Sequence, residues 1–268
     1  YIGIPKRDEA ALACATMAKR TELPPKLRYA RQHALSDWGE RGQARLARAR
    51  VAVIGLGGLG APVVTYLAGA GVGHLTLNDF DQVDGSNLPR QTLYREQDVG
   101  RPKTEAARDY VARHNADVTV ALVDRRLGRD ELAELAATHD VVVDACDNFG
   151  TRFLINEASV ASTTPLVSAA AIRSEGQLAV FDPRDERNAC YACLYSEDDA
   201  AEGDCVGQGV FTPLVGVVGS LAAAAVIRLL LAGDSAPGTR LQCIDLAAQD
   251  VRSLRVPRDP GCRVCAKT

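Results

Sequence analysis

No surplus of charge marks this sequence. Its 31 Lys and Arg stand against 34 Asp and Glu, a net charge of −3. That excludes the basic footprint of a nucleic-acid binder and the acidic surface of a polyanion mimic. Internal repeats and low-complexity tracts are absent as well. The opening residues are polar and charged, without the apolar run and cleavage site of a secretory signal, so the expectation is a cytoplasmic protein. Long hydrophobic runs are missing with one exception. Phe211 to Ala232 carries a single charge, Arg228, and is rich in Ala and Gly. No aromatic or basic anchors flank it, so it predicts a helix buried on all sides in a core or subunit interface, and no membrane partner.

What is present is ordinary globular chemistry, unevenly charged. Apolar residues make up 47% of the 268, enough for a sizeable core. Residues 1–50 hold eleven Lys/Arg against five Asp/Glu, so the remainder is acidic. Such a leading segment suits either a polyphosphate or a solvated helical arm.

From Arg50 onward, short β-branched runs alternate with longer helical patterns. Val51–Ile54, His74–Asp79, Val118–Val123 and Val141–Val143 read as strands. Pro62 to Ala70, Pro102 to Asn115 and Asp130 to Thr138 read as helices. Apolar strands without polar alternation are covered on both faces, which means a parallel sheet. The fold expected is α/β: a Rossmann-like, doubly wound, mainly parallel sheet. After Pro165 the character changes. Leu166–Ala171 and Gln177–Phe181 suggest further strands, and Leu241–Asp245 with Val251–Val256 a late hairpin. Residues 196–204 are small and acidic and read as a mobile loop.

Gly55-Leu56-Gly57-Gly58-Leu59-Gly60 follows a strand and opens a helix. Glycines there let the chain turn tightly and bring amide N–H groups against an anion at the positive end of a helix. Asp79 closes the next strand, where a carboxylate accepts from a ribose. Alone, this pattern describes an NAD-dependent oxidoreductase. However, Asp81, Asn87, Arg90 and Lys103 crowd the following segment. Two cations suit a triphosphate, whose charge moves onto bridging oxygens as pyrophosphate leaves. Asp144-Ala145-Cys146-Asp147-Asn148 ends the fourth strand, and a carboxylate there suits Mg²⁺. No pair of groups nearby suits hydride transfer.

The eight cysteines include two C-x-x-C pairs, Cys190/Cys193 and Cys262/Cys265. Four thiolates are a closed tetrahedral set for a structural Zn²⁺. A redox C-x-x-C is the other reading. Cys205 stands apart, after the acidic loop, as either an inert thiol or a nucleophile.

Taken in order, these segments resemble the MoeB/ThiF group of adenylyltransferases, relatives of the ubiquitin-activating enzymes. The resemblance rests on Arg28-Tyr29-Ala30-Arg31-Gln32, the glycine loop, Asp79-Phe80-Asp81, Ser86-Asn87-Leu88-Pro89-Arg90-Gln91 and Gly100-Arg101-Pro102-Lys103. Asp144 to Asn148, Gly176 to Phe181, both cysteine pairs and Val215-Gly216-Val217-Val218-Gly219-Ser220 complete it. It implies a 27–268 adenylation domain after a 1–26 extension. Residues 50–164 would bind nucleotide, and 165–268 would bind the carrier and zinc. ATP would lie against Gly55, Gly57, Gly58 and Gly60. Asp79 and Asp81 would serve the ribose and its surroundings. Ser86, Asn87, Arg90, Gln91 and Lys103 would line the phosphates. Asp147, with Asn148 beside it, would bind Mg²⁺. Arg31 would enter the partner's site in a homodimer. Cys205 would fall where some members link covalently to the carrier. The implied activity is adenylylation of the Gly-Gly carboxylate of a ubiquitin-like sulfur carrier, with sulfur supplied by a separate donor protein.

Overall fold

The computed structural model describes residues 25–196, 209–233 and 238–267. Eight strands form one sheet: β1 (Arg50–Ile54), β2 (His74–Asn78), β3 (Thr119–Val123), β4 (Val141–Asp144), β5 (Leu166–Ile172), β6 (Glu175–Phe181), β7 (Arg240–Asp245) and β8 (Asp250–Arg255). Their order is β3-β2-β1-β4-β5-β6-β7-β8. The first five are parallel and the last three antiparallel. The doubly wound half expected from the sequence is therefore present, and the later strands extend the same sheet rather than building a second one.

Eight helices accompany it among the described residues: α1 (Pro25–Arg28), α2 (Ala30–His33), α3 (Gly39–Leu46), α4 (Gly60–Ala70), α5 (Lys103–His114), α6 (Arg129–Ala137), α7 (Phe149–Ser162) and α8 (Thr212–Ala232). One core gathers α4, α5 and α8 on one face of the sheet. A second gathers α6, α7 and the Cys190–Cys193 turn on the other. β1 and β4 are buried nearly throughout, as strands covered on both faces must be.

Two elements differ from the sequence reading. α7 has no clear apolar period, because its inner face carries Arg152, Asn156 and Ser159 beside Phe153, Ile155 and Val160. Buried polar side chains mask the helical pattern. The α8 helix is the one described helix long and apolar enough to cross a membrane. It is a core helix, but it is buried along one face only. Leu214, Val215, Val218, Gly219, Ala222, Ala223 and Val226 face inward, while Val217 and Leu221 stay exposed. Gly219 lets it press on α4: a Cβ there would lie 2.3 Å from Cγ of Pro62.

Candidate active site

The strand order reverses between β1 and β4, and the crevice beyond their carboxyl ends is the place where open α/β sheets bind ligands. Two segments meet there. Gly55 to Gly60 leaves β1, and the 144–148 turn leaves β4. Ala145 donates its backbone N–H to Ile54 at 2.8 Å, and Gly55 donates to Asn78 at 2.9 Å. Gly55 has φ +92°, and a Cβ on it would lie 2.6 Å from the carbonyl oxygen of Ala145. A Cβ on Gly60 would lie 2.0 Å from the Gly55 carbonyl oxygen. One on Gly58 would crowd Val215 of α8 at 3.1 Å. Gly57 differs: a Cβ there would meet only Gln91 Nε2, at 3.7 Å. Three of the four loop glycines are thus explained by the protein's own packing, whereas Gly57 is open to a ligand.

Polar anchors stiffen the loop. The Leu56 N–H donates to Asp79 Oδ2 at 2.7 Å, and the buried Tyr94 hydroxyl donates to the Leu56 carbonyl at 2.8 Å. Tyr94 carried no sequence signal beyond its place shortly after Gln91. Burial pushes the Asp79 carboxyl above its ordinary value, opposed by the Lys103 ammonium and by the Asp81 and Leu56 N–H groups. Lys103 opens α5 and is buried. Its Nζ lies 2.8 Å from Asp81 and 3.9 Å from Asp79. Ser86 and Asn87 lie in a short 3-10 turn capped by Asp84, and Arg90 donates to the Ser86 carbonyl at 2.8 Å.

Two observations fit a nucleotide. Gln91 is buried, yet its Oε1 has no hydrogen-bond partner, and a buried acceptor left unpaired is costly. The loop also presents backbone at the start of α4 with no side chain at Gly57. For a hard cation, Asp147 is exposed at the end of the turn, with no described ion pair or side-chain hydrogen bond. Asp144, three residues earlier, is fully buried and paired with Arg152 at 3.3 Å. Asn148 caps α7, accepting from the Thr151 N–H at 2.9 Å, which leaves its amide nitrogen for a ligand.

Arg31 does not join this crevice within the chain. α1 and α2 are tied to the opposite end of the sheet: Gln32 of α2 donates to the Ala70 carbonyl at 3.1 Å, and Arg28 of α1 to that of His114 at 3.0 Å. Those carbonyls close α4 and α5, about 16 Å of helix from the glycine loop. One side chain cannot span that. Cys205 lies outside the described residues.

The four cysteines of the two pairs converge. Their sulfurs are 3.9 Å apart between Cys190 and Cys193, 3.6 Å between Cys190 and Cys262, and 3.5 Å between Cys193 and Cys265. All four ligand atoms fall within 4.8 Å of one another. A tetrahedral ion with Zn–S of about 2.3 Å sets its sulfurs about 3.8 Å apart. Four sulfurs gathered at these spacings fit the ligand set of a zinc ion. Asn156 of α7 steadies it, donating to Cys190 Sγ at 3.6 Å and accepting from the Tyr191 N–H at 2.9 Å. Nothing in the sequence pointed to Asn156.

A glycine loop at the β1/β4 switch point with flanking cations, beside a four-cysteine cluster that could hold a metal ion, describes a nucleotide-binding type of α/β protein. The chain belongs to the ThiF family, which matches residues 29–264. Among its relatives, the molybdopterin-synthase adenylyltransferase of Salmonella typhimurium is 44% identical over 241 residues, covering 90% of this chain and 96% of that protein. The sulfur carrier protein ThiS adenylyltransferase of Escherichia coli is 42% identical, covering 89% and 94%. Among solved structures, E. coli MccB with succinimide superimposes with a TM-score of 0.78 at 26% identity, over 89% of this chain and 74% of that one. The resemblance read from the motifs is thereby borne out.

Proposed function

We propose that this protein activates the C-terminal carboxylate of a ubiquitin-like sulfur carrier by transferring AMP from ATP. The observation that carries the reading is the crevice itself. An open glycine loop beyond β1 is flanked on one side by a turn from β4 bearing an exposed carboxylate, Asp147, and on the other by Lys103, which pairs with Asp81 just past the end of β2. Relatives named as sulfur-carrier adenylyltransferases support the same assignment.

A carboxylate is already a nucleophile, so the reaction needs no general base. The carrier's terminal oxygen attacks the α-phosphorus, the bond to the β,γ-pyrophosphate breaks, and pyrophosphate leaves with its electron pair. Catalysis then consists of alignment and charge neutralisation. The Gly57 region receives the phosphates through backbone N–H groups, and Asp79 receives the ribose. Lys103, Arg90 and Asn87 face the charge that develops on the leaving group. Asp147, with Asn148 beside it, would hold Mg²⁺, which neutralises phosphate oxygens when bound. Zinc would close the Cys190/Cys193/Cys262/Cys265 knuckle and take no part in the chemistry. Reduced thiolates fit the cytoplasm.

Arg31 is assigned to the site of a second copy, because it cannot reach its own. The protein is accordingly read as a homodimer. Cys205 is assigned to the later step, in which a separate sulfur donor converts the acyl-adenylate to a thiocarboxylate. Hydride transfer is the weaker reading: all four histidines, His33, His74, His114 and His139, lie at the far end of the sheet.

ATP–pyrophosphate exchange against a panel of purified carriers ending in Gly-Gly tests the proposal. Exchange with one carrier is expected and would identify the pathway. No exchange with any of them, together with tight NAD binding by calorimetry, would overturn it.

A further inference from the structure

Among the described residues nothing anchors the Asp147 side chain, so its position depends on the backbone that carries it. That backbone is fixed on one side by the Ala145 N–H at β1, 2.8 Å from the Ile54 carbonyl. After Asp147 the chain is held by Asn148, which caps α7 through the Thr151 N–H, and the peptide before Asp147 is tied to β5 by one side chain. Arg152, in the first turns of α7, donates Nη2 to the Cys146 carbonyl at 2.5 Å and to the Ala169 carbonyl of β5 at 2.9 Å. Its Nη1 donates to Ser168 Oγ at 3.3 Å and lies 3.3 Å from Asp144 Oδ2. Asp144 closes the network: it accepts from Ser168 Oγ at 2.7 Å, and from the Cys146 N–H at 3.2 Å.

We propose that Arg152 is a positioning residue for adenylylation: it holds the peptide before Asp147 against β5 and so sets where the Mg²⁺-binding carboxylate points. The inference rests on the function proposed above and deepens it.

Three features favour positioning over simple stability. First, a buried ion pair is poor value as a stabiliser, since apolar residues of similar volume are often as good. Second, the geometry uses the planar fork of the guanidinium. One nitrogen bridges two carbonyls on different elements while the other meets Ser168 and Asp144, which an ammonium cannot do. Third, one bond falls on the residue next to Asp147, and the glycine loop presses on the other side of the same turn. A Cβ on Gly55 would meet Cys146 N at 3.0 Å. Without the Arg152 bridge, the peptide before Asp147 loses its tie to β5.

The test compares Arg152→Lys, which keeps a cation beside Asp144 but loses the fork, with Phe153→Leu, a buried neighbour outside the network. Because Arg152→Lys gives up buried hydrogen bonds, the paired variant Arg152→Met with Asp144→Asn, which removes both charges together, is made alongside. Zinc-loaded, folded protein is titrated with Mg²⁺ at fixed ATP, and nucleotide binding is followed by calorimetry. Carrier-dependent exchange is measured separately. Both Arg152 variants should raise the half-saturating Mg²⁺ at least fivefold and lower kcat at least tenfold, with KM for the carrier near wild type. Phe153→Leu should move neither Mg²⁺ dependence nor kcat. Folded Arg152 variants with wild-type Mg²⁺ dependence overturn the inference. Wild-type protein that binds no ATP at all overturns the underlying function and the inference with it, so the two failures are separable.

Discussion

The Lys103 ammonium sits 2.8 Å from the carboxylate of Asp81 and 3.9 Å from that of Asp79. In the free protein it therefore neutralises the two acids that flank the nucleotide crevice. A phosphate entering the crevice competes with Asp81 for the same cation. Lys103→Ala should lower kcat for exchange by about 10²–10³-fold, the usual loss when one donor to developing charge is removed. Single-turnover acyl-adenylate formation measures it.

The same pair sets a pH dependence. Burial raises the Asp79 carboxyl above 3.8, and Lys103 holds it back. Ionised, Asp79 accepts at both carboxylate oxygens; protonation turns one of them into a donor and weakens the other as an acceptor. ATP affinity should then fall on acidification at a pH above that of an ordinary carboxylate. Lys103→Ala should move the midpoint still higher, because the opposing cation is gone. Calorimetric titration of ATP binding from pH 8 to pH 5 checks both. An affinity flat across that range in the Lys103 variant would contradict the assignment of Asp79.

Within the glycine loop, two substitutions should fail in different ways. Gly60→Ala places a methyl 2.0 Å from the Gly55 carbonyl oxygen, so the loop cannot keep its shape and thermal stability should fall by several degrees. Gly57→Ala meets nothing closer than 3.7 Å. It should melt like the wild type while weakening ATP binding tenfold or more, because the added methyl occupies the ligand's approach. Equal effects of the two on melting would mean that Gly57 is a packing residue.

Much of this was legible in the sequence. Parallel strands buried on both faces announce themselves as apolar runs, so β1, β2 and β4 fall within a residue of their expected limits. Gly-rich and C-x-x-C patterns survive because backbone approach and metal ligation admit few residue types. α7 was not legible, since Arg152 and Asn156 spend buried positions on tethering the active-site turn and the cysteine knuckle. Nor was the far-end location of Arg31, which depends on where α4 and α5 terminate in space.

For the knuckle, about one zinc per chain is expected by metal analysis. Cys193→Ser should bind less metal and melt at lower temperature, because metal-binding free energy is part of folding free energy. Asn156→Ala should keep the zinc but hold it less tightly against a competing chelator, by about 10–100-fold, the usual effect of losing an outer-shell partner. Metal-free wild-type protein with unchanged melting would refute the site.

The position of Arg31 yields a test that separates a dimer from a monomer. If Arg31 serves the site of a second copy, Arg31→Ala and Asp147→Ala each inactivate their own homodimer by different routes. Co-expressed, they form mixed dimers. One site of a mixed dimer lacks both groups, whereas the other has both, since its Asp147 and its visiting Arg31 come from the intact halves. Random pairing then restores about a quarter of the wild-type sites. Exchange activity near that level in the co-expressed pair, with each variant alone at background, is the expected result. Background activity in the mixture would mean that Arg31 acts within its own chain, which the bond from its neighbour Gln32 to the far end of α4 argues against; full activity of Arg31→Ala alone would mean that it takes no part.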